Sequence, residues 1–120
     1  MDIKIQQIND IDIAELISDQ VEITTTQDAL DIMMNCVYQG ADYIIIRQHH
    51  LTPDFFDLKT KVAGDILQKF STYNARLIII GDFDDIQSQS LRDFIYESNK
   101  IGRISFVGTM EEALEKLARQ

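Results

Sequence analysis

YIII at residues 43–46 and LIII at residues 77–80 are two short runs in which every residue is apolar. Apolar residues at every position, instead of at every second one, are typical of parallel strands buried on both faces. ISFV at residues 104–107 has nearly the same character. The sequence therefore predicts three central strands of a parallel sheet, covered by helices on both sides.

Amphipathic helical patterns lie between and beyond these strands. Apolar residues recur at spacings of three and four over residues 29–37, 55–73, 91–98 and 110–117. Pro53 fits the first turn of the second helix, which we expect to continue unbroken to about residue 73. Strands that alternate with helices imply right-handed crossovers and a mostly parallel sheet.

The N-terminal segment shows the period of two that marks a half-buried pair of strands. Ile3 and Ile5 alternate with polar residues, Asn9-Asp10 provides a turn, and a second alternating run begins at Ile11. The fold class that we predict is therefore α/β, in one domain over residues 1–120. It has a mostly parallel sheet of about five strands, helices on both faces and an N-terminal antiparallel hairpin.

The charge of the chain is strongly acidic and unevenly distributed. Its 120 residues include 20 Asp and Glu against 11 Lys and Arg, which gives a formal net charge of −9. Lys and Arg are absent from residues 5–46. Nucleic acids and anionic membranes require a basic surface, so we expect neither as a partner. The acidic half either attracts a basic protein partner or simply keeps the surface solvated.

Cysteine content and the N-terminus indicate a cytoplasmic protein. The single cysteine, Cys36, excludes an internal disulfide framework and is expected to be a buried structural thiol. MDIKIQQIND at residues 1–10 lacks the basic start and apolar core of a signal peptide. No apolar run approaches the roughly 20 residues of a membrane-spanning helix.

Most of the chain resembles the uncharacterised bacterial family called domain of unknown function 4180. The resemblance is carried by three long segments: DALDIMMNCVYQGADYIII at 28–46, TPDFFDLKTKVAGDILQKFSTYNARLIIIGDF at 52–83 and SLRDFIYESNKIGRISFV at 90–107. The resemblance implies membership of this family, and no activity comes with it.

The C-terminal half is also similar in topology to the STAS domains of anti-sigma-factor antagonists. RLIIIGDF at 76–83 is followed by a helix and then by RISFVGTMEEALEKL at 103–117. STAS domains bind partner proteins, and phosphorylation switches some of them. This resemblance implies a STAS-like fold and a regulatory or protein-interaction role. The region that corresponds to their phosphorylated Asp-Ser-Ser-Gly turn reads FDLKT here, at 56–60.

Polar residues follow the predicted strands at the edge of the sheet where ligands of open parallel sheets collect. Asn99 either caps the carbonyls of its own helix or contacts this rim. The candidate ligand or partner residues are His49, His50, Thr52, Asp54, Asp82 and Asn99. A functional rim predicts that His50, Thr52, Asp54 and Asp82 converge in one cleft. Otherwise Thr52 caps a helix and the histidines point into solvent.

The candidate residues suggest two kinds of chemistry, metal binding and phosphorylation. His49 and His50 with Asp54 or Asp82 provide the residue types of a two-His, one-carboxylate metal site, although adjacent side chains diverge in an extended loop. Thr52 and Thr60 are candidate phosphorylation sites, and Thr52 is better explained as an N-cap. We predict no bound metal, no cofactor and no catalytic residue.

Three functions are compatible with this sequence, which has no GxGxxG, GxxxxGK[ST] or GxSxG motif. The first is a cytosolic regulatory or protein-interaction module, with a protein partner. The second is a sensor that binds a small molecule or nucleotide at the rim, and the third is a metal-assisted enzyme using His50, Asp54 and Asp82. The exposed edge of the hairpin could also pair with that of a second copy to form a homodimer, although Asp10 and Asp12 near this edge would oppose pairing.

Overall fold

The sheet follows the order of the chain from one edge to the other. The computed structural model describes residues 1–118, which contain the strands β1 (Asp2–Ile8), β2 (Ile11–Ile17), β3 (Tyr43–Arg47), β4 (Arg76–Ile80) and β5 (Ile104–Val107). The helices are α1 (Thr26–Tyr38), α2 (Val62–Thr72), α3 (Gln89–Ile101) and α4 (Met110–Ala118). The spatial order is β1-β2-β3-β4-β5, with β1 and β2 antiparallel and the later pairs parallel. The predicted α/β fold with an N-terminal hairpin is confirmed.

A tight turn sets the register of the hairpin. Asn9 and Asp10 have φ angles of 52° and 66°, and Ile8 pairs with Ile11 across them. Two consecutive residues in the left-handed region form a type I′ turn, whose twist matches that of the two strands. The register then continues without a bulge to the pair of Asp2 and Ile17.

The connections place the helices unequally on the two faces of the sheet. Each parallel connection moves one strand in the same direction, so right-handed crossovers put α1, α2 and α3 on one face. Ile44, Ile46 and Ile79 belong to the larger core cluster on this face. The chain reverses after β5, and Ala113 and Leu117 of α4 pack with the smaller cluster on the other face. The prediction of helices on both faces of the sheet is therefore confirmed, with three helices on one face and one on the other.

β5 lies at the edge of the sheet, which corrects its predicted central position. The chain reaches β5 last and turns back into α4, so no strand lies beyond β5 within residues 1–118. All four β5 residues are nevertheless buried. Asn99 of α3 closes the edge, since its Nδ2 donates to the Phe106 carbonyl at 3.2 Å and its Oδ1 accepts from the Phe106 N–H at 2.6 Å.

The second helix is shorter than predicted, because its first turns are not α-helical. Residues Pro53–Phe56 and Leu58–Thr60 form 3₁₀ turns, and Lys61 has a φ of 66° before α2 begins. The Asp57 carboxylate accepts from the Lys59 N–H at 3.1 Å, and the Thr60 hydroxyl donates to the Asp54 carbonyl at 2.6 Å. Such local side-chain bonds offer the backbone an alternative to the α-helix.

The ends of α1 and α3 carry residue types that are typical of helix termini. Thr25 and Asp28 form a reciprocal capping box at the start of α1, and Ser88 caps α3. Gly40 and Gly102 end α1 and α3 with φ angles of 94° and 86°, a conformation that favours glycine. None of the helices in residues 1–118 has the length and apolar character needed to cross a bilayer.

Candidate functional site

Two adjoining clefts open at the carboxyl ends of β2, β3 and β4. The first, which we call the apolar cleft, has a volume of about 750 Å³. It is lined by Val21, Arg47, Gln48, His49, Leu51, Pro53, Phe56, Ile80 and Gly81. The second, which we call the polar cleft, has a volume of about 580 Å³ and lies beside the end of β2. Arg47 and His49 border both clefts.

A short parallel bridge holds the wall of the apolar cleft in place. Ile23 pairs with Leu51, although neither lies in a strand of the main sheet. The Ile23 N–H donates to the His50 carbonyl at 2.9 Å, and the Thr52 N–H donates to the Ile23 carbonyl at 2.8 Å. This bridge ties residues 18–23 to the segment after β3, and Val21 stays 50% exposed at the cleft.

A row of phenylalanine rings in mutual contact supports the apolar cleft from the core. The Phe56 ring lies 5.0 Å from that of Phe55 and 6.1 Å from that of Phe83, between ring centroids. Phe83 meets Phe106 edge to face at 5.2 Å. Tilted and edge-to-face rings are favourable arrangements of aromatic pairs, so this side of the cleft is preformed by core packing.

His50 is a buried histidine with both ring nitrogens bound to the backbone. Only 1% of its surface is exposed. Its Nδ1 accepts from the Arg47 N–H at 2.9 Å, so Nε2 carries the proton and donates to the Ser18 carbonyl at 2.9 Å. Burial lowers the pKa of His50 below its ordinary 6.5, and the Arg47 charge acts in the same direction. His50 is therefore a neutral link between β3 and the loop after β2.

His49 makes a second contact with the same carbonyl. Its Nε2 lies 2.9 Å from the Ser18 oxygen, and the two imidazole rings have centroids 4.3 Å apart. Unlike His50, it is exposed, and it borders both clefts. The Ser18 hydroxyl in turn donates to the Glu22 carboxylate. The two histidines thus fix the loop that separates the clefts.

An ion pair joins the ends of β2 and β3 between the two clefts. Arg47 Nη1 donates to Glu15 Oε2 at 2.9 Å, and the Glu15 side chain is only 11% exposed. Because Glu15 is largely shielded from water, its charge requires the partner that Arg47 provides. The pair leaves no net charge at this point of the cleft wall.

Gln48 lies on the rim, as its position directly after β3 predicts, and its role there is structural. Its Oε1 accepts from the Asp82 N–H at 3.1 Å, which connects the ends of β3 and β4. A Cβ atom at Gly81 would lie 2.6 Å from that same Oε1. The sequence signal for this contact was Gly81 followed by a polar residue, because glycine at the end of a strand often permits a close approach by another residue.

A third cleft, of about 620 Å³, lies between the loops that follow β4 and β5. These loops lead to α3 and α4 on opposite faces, the type of position where open α/β sheets bind ligands. Asp82, Asp84 and Glu112 contribute carboxylates to its lining, and Asn99 borders it as well. Glu112 also accepts from the Gly108 N–H at 3.1 Å, so it is partly used in capping α4.

The predicted site residues are distributed among these places. His49 and His50 border the polar cleft, whereas Asp82 and Asn99 border the third cleft. Thr52 is buried and its hydroxyl accepts from the Asp54 N–H at 3.4 Å, as the capping interpretation predicts. Thr60 is exposed and is the more accessible of the two candidate phosphorylation sites.

Comparison with known proteins identifies the family of this chain. Residues 8–117 match the family described as Domain of unknown function (DUF4180). The chain belongs to this family. No curated protein and no solved structure matches it. The resemblance to DUF4180 seen in the sequence is thus confirmed over nearly the whole chain, whereas the similarity to STAS domains is not.

The described side chains of this DUF4180 domain are not grouped as metal ligands are. Within residues 1–118, no group of three or more His, Cys, Asp or Glu side chains is placed to hold a metal ion.

Cys36 lies on the buried side of α1, and burial raises the pKa of its thiol to about 11. The predicted burial of Cys36 is therefore confirmed, and the raised pKa favours the protonated thiol.

Proposed function

We propose that this protein is a cytoplasmic regulatory module that acts by binding a small molecule in the apolar cleft. The observation that carries the proposal is the cleft itself: an apolar pocket of about 750 Å³ at the carboxyl ends of β3 and β4. Small-molecule sites are concave, mostly apolar and of about this size. The strand ends, the bridge at Ile23 and the phenylalanine rings make the cleft rigid before any ligand arrives.

The roles of the polar side chains favour binding over chemistry. His50 holds the Ser18 carbonyl, and Asn99 holds the edge of β5. Asp82 accepts from the Asp84 N–H at 3.2 Å within its own loop. Groups that are committed to the backbone in this way are poorly placed to exchange protons with a substrate, because geometry precedes pKa in general acid–base catalysis.

The charges around the cleft favour a ligand that is mainly apolar and uncharged. Arg47 is the charged residue of the lining, and its guanidinium is paired with Glu15. An anionic ligand would compete with Glu15 and meet the field of a chain with a net charge of −9. Gln48 and His49 supply the few polar groups that orient a ligand in such sites.

Replacing Val21 by Asp tests the proposal. Val21 is half-exposed, so Val21→Asp places a charge in the cleft without opening the core. Native mass spectrometry of protein purified from cells should find a retained small molecule in the wild type. We expect its occupancy to fall by about tenfold or more in the variant, since burying an unpaired charge costs several kcal/mol.

Ile101→Asp is the matched control, because Ile101 is 71% exposed at the end of α3 and is not among the residues that line the apolar cleft. It should retain the small molecule at the wild-type level. An unchanged occupancy in Val21→Asp, with both variants folded, would place the ligand elsewhere. A wild-type protein that carries nothing and is not stabilised by any member of a small-molecule library would contradict the proposal.

A basic protein partner is a second candidate, favoured by the acidic N-terminal half. Asp10, Asp19, Asp31 and Asp42 are exposed in a segment that has no Lys or Arg. Complementary charge steers association and is screened by salt. Cross-linking in cells should then capture a protein with a basic surface. The complex should weaken as NaCl rises from about 0.05 to about 0.5 M, and Val21→Asp should leave it intact.

A further inference from the structure

The two edges of the sheet differ in how their backbone groups are satisfied. At the β5 edge, Asn99 pairs with both the N–H and the carbonyl of Phe106. At the β1 edge, no residue in the described part of the chain beyond β2 bonds to the backbone of β1. β1 is also seven residues long, without proline, glycine or a bulge. An edge of this kind is a template for another strand.

The hairpin geometry identifies the backbone groups that face outward from β1. Residues that flank a two-residue turn exchange both of their hydrogen bonds, so Ile8 and Ile11 form a bonded pair. Bonded and non-bonded pairs alternate along an antiparallel ladder. The N–H and carbonyl groups of Ile3, Ile5 and Gln7 therefore point away from β2. Ile5 lies at the middle of the strand and is 39% exposed.

We propose that the chain forms a homodimer in which β1 pairs antiparallel with β1 of a second copy, centred on Ile5. Antiparallel pairing around a twofold axis at Ile5 uses the whole strand. Ile5 then faces its own counterpart, Ile3 faces Gln7 of the second copy, and Lys4 faces Gln6. No like charges lie directly opposite one another in this pairing. The sheets of the two copies become one continuous sheet.

The acidic residues that oppose pairing at the level of sequence are displaced from this edge. Asp10 lies in the turn, beyond the end of the ladder. Asp12 lies on β2, one strand further in, where its carboxylate accepts from Gln7 Nε2 at 3.3 Å. Lys4 is exposed on the α4 side of the sheet, and α4 packs against β4 and β5. Its ammonium group therefore keeps its water when β1 pairs.

Sedimentation equilibrium of the full chain tests the proposal directly. We expect a dimer in the wild type at concentrations up to about 1 mM, where a Kd of even about 100 µM leaves most chains paired. Ile5→Lys places two ammonium groups face to face at the twofold axis and should raise the Kd by about tenfold or more. Ile101→Lys is the matched control at an exposed residue of α3 and should leave the Kd unchanged.

Ile5→Pro provides the backbone test. Proline removes the outward N–H of Ile5, a change that an edge strand tolerates when that N–H faces solvent. The variant should keep the circular dichroism spectrum of the wild type and be monomeric. A wild-type chain that is monomeric at about 1 mM overturns the proposal, even if its edge accepts a strand of another protein. A dimer that survives Ile5→Lys overturns it equally, and this second criterion holds if Ile5→Pro fails to fold.

Discussion

At the scale of single residues, His50 shows how the environment selects one state of a titratable group. Its Nδ1 has an N–H donor in front of it, and its Nε2 has a carbonyl. A proton added to Nδ1 would face the Arg47 N–H and break that hydrogen bond. Burial and geometry therefore both favour the neutral ring, and the loop at Ser18 depends on it.

The pH dependence of folding should report this histidine. Because the folded-state pKa of His50 lies below 6.5, the unfolded chain binds more protons as the pH falls through 6.5 towards the folded value. The contribution of His50 to the free energy of unfolding is thus complete above pH 6.5. It is lost as the pH falls from 6.5 to the folded-state pKa, with a slope of at most about 1.4 kcal/mol per pH unit. Urea denaturation between pH 5 and pH 8, about one unit or more on either side of 6.5, measures this pH dependence of the free energy of unfolding.

His50→Gln keeps a donor for Ser18 but cannot take up a proton, so it should show a flatter pH profile than the wild type. His49→Gln is the matched control at the exposed neighbour, and it should keep the His50 contribution. Equal slopes in the wild type and His50→Gln would show that another group is responsible for the acid sensitivity.

At the scale of elements, the segment after β3 shows where sequence patterns reach their limit. The apolar spacing from Phe55 to Phe70 is real, since both residues are buried in the same core cluster. The pattern could not reveal the break at Lys61, because the break comes from hydrogen bonds of Asp57 and Thr60 to nearby backbone. Hydrophobic periodicity therefore predicted the face of the element and missed its first α-helical residue.

Substitution by alanine should have opposite effects at Gly81, which directly follows β4, and at Gly64, which lies within α2. At Gly81, a new Cβ would lie 2.7 Å from Gln48 Cβ and 2.9 Å from Phe83 Cζ, and both belong to packed residues. Gly81→Ala should therefore cost about 1–3 kcal/mol in the free energy of unfolding. At Gly64 in α2 a Cβ meets nothing within 4 Å, so Gly64→Ala should stabilise by about 0.5–1 kcal/mol. Chemical denaturation of both variants measures the two effects, and a loss at both positions would contradict this assignment.

At the scale of the whole molecule, the sheet is a partition between two unequal cores. Ile79 sits in β4 with no exposed surface, in the larger core under α1, α2 and α3. Ile79→Ala should cost roughly 2–5 kcal/mol, because the surrounding rigid elements cannot close the cavity. Ile101→Ala, at an exposed position, should stay within about 0.5 kcal/mol of the wild type. A loss below about 1 kcal/mol for Ile79→Ala in urea denaturation would mean that the core relaxes around the gap.

The fold could largely be predicted from the sequence, whereas the positions of the rim residues could be predicted less well. Runs such as residues 43–46 report burial on both faces directly, which explains why the parallel sheet and the crossovers were predicted. The partners of His50 and Gln48 lie at Ser18 and Asp82, more than 30 positions away. Contacts between such distant loops leave no periodic trace, and the same is true of the edge position of β5.

The spatial order of the strands also bears on how the molecule assembles during synthesis. Within residues 1–118, each strand pairs only with the strand that precedes or follows it in the chain. Ile13 pairs with Tyr43, Tyr43 with Arg76 and Leu77 with Ile104. A chain that leaves the ribosome from its N-terminus therefore exposes the template for each strand before that strand emerges. Because loop-closure entropy rises with the separation of the segments joined, this topology avoids the slow search for distant partners that mixed strand orders require.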